Sequence, residues 1–284
     1  MKKKLCLLIY LIFHNIGYSQ LTIYKIWTYD SNKSITINAF VDTLEINKIN
    51  TIKILSATAK IDNEQIISSS EAYPDMYYQD SDNSIQTIFK NLSKPIYKID
   101  TLKVKVKYFT PTEENKSLIT IKNPLQKFGL NLIENEYPKM KFILLDFHLL
   151  KNLKRKNKKK YKTLIEKIEE NNNVTKDSIA LFVNKAIQEY KELKLSDAEY
   201  KKRLLFYIED EKSEIKKVSL YDKNGVDIGL ALYNIWSKSY TSRIQIQMCR
   251  EIPEDTWTIK LHIENEKSTK EIELNMENII ISKN

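Results

Sequence analysis

Side chains able to do covalent or metal chemistry are scarce in this chain, which holds 3 histidines and 2 cysteines. His14 and Cys6 fall within the first nineteen residues, leaving His148, His262 and Cys249 beyond them. No His-Glu-x-x-His, Cys-x-x-Cys, glycine-rich phosphate loop or Gly-x-Ser-x-Gly elbow is present. With only 4 glycines, close backbone approach to a cofactor is disfavoured. His262 alternates with Leu261 and Ile263, so it is expected on the polar, solvated face of its strand rather than in metal binding or acid–base work. His148 sits in the apolar run from Met140 to Leu150 and reads as a packing residue. Cys249 follows Ile244, Ile246 and Met248, which take one face of a strand while Cys249 takes the other. A nucleophile there needs a neighbouring base, and an inert small side chain is the plainer reading. No catalytic residue, no metal ligand set and no cofactor is assigned.

Two stretches are better suited to binding than to catalysis. The first is the polar loop 68–84, which carries Tyr73, Tyr77 and Tyr78. Exposed tyrosines stack on sugars or anchor a protein partner, and otherwise cover the end of a sheet. In the same loop Asp80 and Asp82 belong to Asp80-Ser-Asp-Asn-Ser84, with oxygen ligands at alternate positions as in a calcium loop. Ile85 stands where that loop needs glycine and Asn91 where it needs glutamate, so metal is not assigned. These five residues are the candidate ligand contacts. The second stretch is 151–162, in which eight of twelve residues are Lys or Arg. Lys154, Arg155, Lys156, Lys158, Lys159 and Lys160 are its candidate contacts with an anionic surface, whether lipid headgroups or acidic glycan. The competing readings are pairing with Glu166, Glu169 and Glu170, and a plain solvated basic face.

The first nineteen residues have their own character. Lys2-Lys3-Lys4 is a positive n-region, Leu5 to Phe13 is an unbroken apolar run, and Gly17-Tyr18-Ser19 offers small residues at −3 and −1 before Gln20. This is the pattern of a secretory signal peptide. The apolar run is too short to span a bilayer core of about 30 Å. Cys6 opens the apolar run rather than closing it, which is not the lipobox order. Removal of this segment leaves Cys249 alone, so stability rests on core burial rather than on a disulfide. It also lowers the formal charge from its value of +9. Export disfavours nucleic acid as a partner, and no second run of spanning length follows.

Strands dominate the remainder. Alternation marks 21–29, 34–41, 49–61, 85–89, 101–109 and 118–121, separated by turns such as Asp30-Ser-Asn32 and Asp62-Asn63. After Pro138 the period changes. The run 140–150 suits a strand or a helix start, and helical spacing follows in Leu164, Ile165 and Ile168. Thr175 reads as an N-cap for a helix carrying Ile179, Phe182, Ala186, Ile187 and Tyr190. Ser196-Asp-Ala-Glu199 is a capping box opening a helix toward Ile208. Period 2 resumes from Ile215, with Val218–Tyr221 as a strand and Asp222-Lys-Asn-Gly225 as a hairpin turn before Ile228–Trp236. Strands at 243–248, 256–263, 270–274 and 279–281 complete the chain.

Two stretches resemble one another. Leu102, Val104, Val106 and Tyr108 align with Trp257, Ile259, Leu261 and Ile263, and Lys105 with Lys260. Each is followed by a polar turn and an alternating return strand, Leu118–Ile121 or Glu271–Leu274. Hairpin upstream and hairpin downstream in both suggests a duplicated β domain. The expected architecture is therefore mainly β: a signal peptide at 1–19, an Ig-like β-sandwich at 20–137, a helical and basic insert at 138–210, and a second Ig-like sandwich at 211–284. With its signal cut before Gln20 and this strand pattern, the chain resembles secreted two-domain β-sandwich proteins of unassigned function from Bacteroidota-like Gram-negative bacteria. The resemblance implies fold and export and carries no functional residue. The expected function is a periplasmic or extracellular, non-enzymatic binding protein whose loops contact an envelope protein or glycan. The alternatives are a structural or assembly factor of the envelope, for which an apolar groove on helices 175–208 would speak, and a hydrolase with a dispersed site.

Overall fold

Alternating apolar residues do become strands; some pair with their neighbours in sequence, as β1 with β2 and β11 with β12, but the strands that close each unit find distant partners. The structure is a computed structural model that describes residues 19–29, 31–47, 49–62, 64–67, 84–174, 178–192 and 195–282. The expected signal segment up to residue 18 lies outside these residues, as do Tyr73, Tyr77, Tyr78, Asp80, Asp82 and Thr175. The protein is mainly β, with several largely antiparallel sheets. It divides into two compact units, Met1–Pro111 with Glu266–Asn284, and Thr112–Asn265. The second unit is thus an insertion in the first. Divisions were expected at 137/138 and 210/211; the compact units instead meet at 111/112 and 265/266.

The first unit contains β1 (Ser19–Tyr29), β2 (Ser34–Val41), β3 (Thr51–Ile61), β4 (Glu64–Ile67), β5 (Ser84–Phe89), β6 (Lys98–Phe109) and, from the far end of the chain, β14 (Thr269–Ile280). Their order is β4-β3-β6-β14-β1-β2-β5. β1 joins two halves of this sheet: Ser19 and Gln20 run parallel to Leu274 and Asn275, and Leu21 onward runs antiparallel to β2. Inward residues of both halves, among them Ile35, Ile37, Val104 and Leu274, belong to one core cluster. The turn after β1 forms as its residues predict, with Ser31 and Asn32 both at positive φ, the conformation tight hairpins require.

β6 shows why its partner is β14. Leu102, Val104, Val106 and Tyr108 are buried, while Lys103 and Lys105 point outward. Val104 stands opposite Leu274 and Val106 opposite Ile272, and on the other face Lys105 stands opposite Glu273 and Lys107 opposite Glu271. Ion pairs Lys105–Glu271 at 2.5 Å and Lys103–Glu273 at 3.4 Å cross the two strands. Lysines alternating on one strand meet glutamates alternating on the other, and a slip by one residue would expose the apolar face.

The second unit holds β7 (Leu118–Lys122), a short 3-10 turn (Pro124–Lys127), β8 (Lys141–Leu145), four helices, then β9 (Arg203–Glu209), β10 (Ile215–Tyr221), β11 (Gly229–Trp236), β12 (Ser242–Cys249) and β13 (Thr258–Ile263). The helices are α1 (Phe147–Lys156), α2 (Lys158–Asn171), α3 (Ile179–Glu192) and α4 (Asp197–Lys201). A three-stranded sheet, β10-β13-β7, and a four-stranded sheet, β11-β12-β9-β8, form two layers. Between them lie Phe142, Phe206, Leu220, Ile259 and Leu261. The other face of the four-stranded sheet, with Ile143, Leu205, Tyr207 and Ile246, is packed by Phe147, Ile165, Phe182 and Ala186 of the helices. The helices are a third layer of this unit, not a linker between two sandwiches.

Two further expectations are corrected and a third is met in part. The duplication does not describe the pairing: Thr258–Ile263 pairs with Leu118–Lys122, and Lys98–Phe109 pairs with Thr269–Ile280. Each supposed return strand serves the other unit. The capping box at Ser196 forms, with Ser196 Oγ accepting from the Glu199 N–H and the Glu199 carboxylate accepting from the Ser196 N–H. Its helix nevertheless stops at Lys201, and 203–209 is the fully buried central strand β9. A strand covered on both faces shows no alternation, so it reads like a helix segment. Asp222–Gly225 does turn, with Gly225 at φ 78 and Asp222 accepting from the N–H groups of Asn224 and Val226. It closes a short hairpin, with Tyr221 bridged to Asp227 and the Ile228 N–H donating to Leu220, after which the chain passes to the other sheet of the unit.

β14 occupies an interior position in the first unit and none in the second. Truncation after Asn265 is therefore expected to unfold the first unit while the second keeps its structure. Amide hydrogen exchange resolved by peptide checks this: β3 and β6 should lose protection and β9 and β12 retain it.

Candidate functional site

The cation-rich stretch folds as a helical corner. α1 begins at Asp146, whose side chain accepts from the Leu149 N–H at 2.8 Å, and ends where the Asn157 N–H donates to the Leu153 carbonyl at 2.7 Å. Asn157 is also the N-cap of α2, its side chain accepting from the Lys160 N–H at 3.0 Å. One residue thus closes one helix and opens the next. Lys154, Arg155 and Lys156 occupy the last turn of α1, where the helix dipole favours cations. Lys158, Lys159 and Lys160 occupy the first turn of α2, where the dipole opposes them.

The underside of the corner is anchored. Tyr161 is buried and its hydroxyl donates to Asn184 Oδ1 of α3 at 3.0 Å; burial, helped by Glu169, pushes its pKa up to about 12. Leu150 and Ile165 are buried on either side. Arg155, Lys156, Lys158, Lys159 and Lys160 are exposed, and Lys154 is half-buried. Burial, with Lys158 nearby, lowers the Lys154 pKa. Among the described residues none of these six cations forms an ion pair. The expected pairing of the run with the glutamates forms in part: Lys162 pairs with Glu166 at 3.5 Å, while Glu169 accepts from Ser178 and from the Ala180 N–H. Lys151, at the other end of the run from Lys162, is tied down as well. It lies 3.2 Å from Asp197 and 3.3 Å over the ring of Tyr200.

That contact leads into an aromatic cluster with no counterpart in the sequence reading. Phe147, Tyr190 and Tyr200 approach one another at centroid distances of 5.5 to 6.5 Å, and the Arg203 guanidinium lies 5.3 Å over Tyr190. The three rings come from α1, α3 and α4, so no spacing rule links them. An apolar groove of about 280 Å³ runs elsewhere than on the 175–208 helices, lined by Phe128, Leu130, Leu149, Leu164 and Ile168. Gly129 makes its floor possible. It holds φ +76, and a Cβ there would stand 3.1 Å from Ile168 Cγ1.

The three chemically versatile side chains lie apart from this corner or carry no partner for catalysis. His262 is 4% exposed, not solvated as its alternation suggested. It sits on the middle strand of its sheet between Lys217 and Leu118. Burial, with Lys217 and Lys260 close by, lowers its pKa to about 4. Cys249, on the strand face opposite Ile244 and Ile246, is itself buried, and burial pushes its thiol up to about 12. His148 is half-buried on α1, with Asn152 Nδ2 at 3.1 Å from its ring. Among the described residues no group of three His, Cys, Asp or Glu side chains is placed to hold a metal ion, and no helix is long and apolar enough to cross a membrane.

His262 is expected to titrate near about 4 in an NMR pH series. Because the fold lowers its pKa, the unfolded chain takes up the proton first as pH falls below 6.5. This group's contribution to stability is then intact above that value and declines as pH drops toward about 4. An imidazole titrating at its ordinary value would contradict the buried placement. Cys249 is expected to resist a thiol reagent in native protein and to react fully once the chain is unfolded; rapid labelling of the native form would contradict the enclosed thiol.

No protein-family model, no curated protein and no solved structure matches this chain.

Proposed function

We infer that this is an exported, non-enzymatic binding protein that contacts a polyanionic surface of the cell envelope through the corner between α1 and α2. One observation carries the reading: six cations, Lys154 to Lys160 apart from Asn157, are held on two anchored helix ends with no acidic partner among the described residues. Packing like charges together is unfavourable, and three of them also oppose a helix dipole. An anion arriving at this corner relieves both terms. The groups it would meet are ammonium and guanidinium donors, which suit phosphate and carboxylate oxygens. Lipid headgroups and acidic glycans share that chemistry.

Export rests on Lys2–Lys4, the apolar run and the small residues before Gln20. The first unit, whose two half-sheets share one core, is read as a sandwich of Ig-like general shape that serves as a frame. Loop contacts through Tyr73, Tyr77 and Tyr78 remain part of the proposal for a protein or glycan partner.

Co-sedimentation with vesicles of phosphatidylglycerol and of phosphatidylcholine, and retention on an acidic polysaccharide, test the reading. Binding to at least one of the anionic probes, absent with the neutral vesicles, is expected. It should weaken steeply with salt. The combined variant Lys156→Gln, Lys158→Gln, Lys159→Gln, Lys160→Gln should lose it at least tenfold while its circular dichroism is unchanged. Equal binding by the variant, or no binding to either anionic probe, would overturn it.

A further inference from the structure

Every sheet edge presents unpaired N–H and C=O groups, and most edges of this protein are blunted. β4 is 4 residues long and carries Glu64. β10 carries Lys216 and Lys217, and β7 ends in Lys122. The outer edge of β8 is covered by the preceding segment, with the Gly129 N–H donating to Leu144 and the Leu132 N–H to Phe142. β5 keeps its apolar residues buried. Charge, shortness and cover are the usual devices against edge-to-edge pairing.

β11 has none of these three, and the one irregularity along it is a register shift between Gly229 and Ala231 at its start, which leaves Ala231–Trp236 as the regular edge. It lies at the end of its sheet with β12 on one side, and among the described residues no strand pairs with the other side. It is 8 residues long. No charged residue and no proline lies between Asp227 and Lys238. Most of its apolar side chains are out in solvent, Ile235 being buried: Leu230 is 57% exposed, Leu232 46%, Trp236 38%, and Tyr240 beyond it 69%. Leu232 and Trp236 share a face, opposite Gln247 and Arg243 of β12.

We propose that β11 is a dimerisation strand, pairing antiparallel with β11 of a second copy to join the two four-stranded sheets into one. An open backbone edge specifies an extended strand as the occupant, because only a strand satisfies the row of donors and acceptors. A two-fold axis makes the same edge serve both copies, so the strand must tolerate itself. This one does. In an antiparallel mate centred on Tyr233, Ala231 faces Ile235 and Leu232 faces Asn234, and the strand itself brings no charge to the axis, although the Glu189 carboxylate of α3 accepts a hydrogen bond from Tyr233 in each copy. A foreign strand selected by this basic protein would bring acidic side chains, for which β11 offers no cation. The strand is an uncharged window in a chain of net charge +9, the place where two copies approach with least repulsion.

Sedimentation equilibrium of the purified protein tests this, with Leu232→Lys as the edge-blocking variant and Leu181→Lys, an exposed position on α3, as control. The wild type and the control are expected to be dimers that persist at high salt, which separates this contact from anion binding at the basic corner. Leu232→Lys is expected to be monomeric with unchanged circular dichroism. Hydrogen exchange of wild-type β11 amides should slow as concentration rises, a readout that needs no variant. A monomeric wild type, a dimeric Leu232→Lys, or β11 exchange independent of concentration would each overturn the proposal.

Discussion

Lys103, Lys105 and Lys107 on β6 face Glu271 and Glu273 on β14, a strand that the chain reaches only after building another unit in between. Beneath those charges Leu102, Val104 and Val106 meet Met276, Leu274 and Ile272. Apolar burial supplies the stability of this pairing, and exposed ion pairs add little to it. What the charges do is help fix the register, since a slip by one residue would set lysines opposite Ile272 and Leu274 and turn an apolar row outward. With β14 held between β6 and β1, the first unit closes around sequence-distant strands. The remainder of the chain must leave it and return.

The return is feasible because the inserted unit brings its own ends together. The Ile263 N–H donates to the Ser117 carbonyl at 2.7 Å, and Asn265 Nδ2 donates to the Asn115 carbonyl at 3.1 Å. A folded insert with adjacent ends is a short loop to the host, whatever its length. Inside the insert, β9 plays the organising part. Leu204, Phe206 and Ile208 face the three-stranded sheet while Leu205 and Tyr207 face the helices. Every residue of the strand is buried, including Glu209, which accepts from the Tyr207 hydroxyl at 2.6 Å.

Two kinds of surface then stand out, and they differ in physics. The α1–α2 corner concentrates cations that have no ion-pair partner among the described residues, so the contacts proposed for it are long-ranged, salt-sensitive and undemanding in shape. The β11 edge is uncharged and offers directional hydrogen bonds with apolar cover, so its interactions are short-ranged and indifferent to salt. A protein carrying both can assemble through one and attach through the other without competition between them.

Strand content, the turns at Ser31–Asn32 and Asp222–Gly225 and the capping box at Ser196 were all legible in the sequence, because each depends on neighbours within a few residues. So was the crowding of cations at 154–160. Its folding into two helices sharing Asn157, and the absence of glutamate partners, needed the tertiary structure. The similarity of 100–108 to 255–263 pointed to two like domains; alternation alone cannot say which strand pairs with which, and the lysine–glutamate match across β6 and β14 decided it. β9 read as helix because burial on both faces removes the period that marks a strand. His262 read as solvated because alternation names a face and says nothing of what covers it. Local chemistry determined the elements of this protein. Only the tertiary structure settled their partners, since pairing depends on surfaces that meet across a distance in sequence.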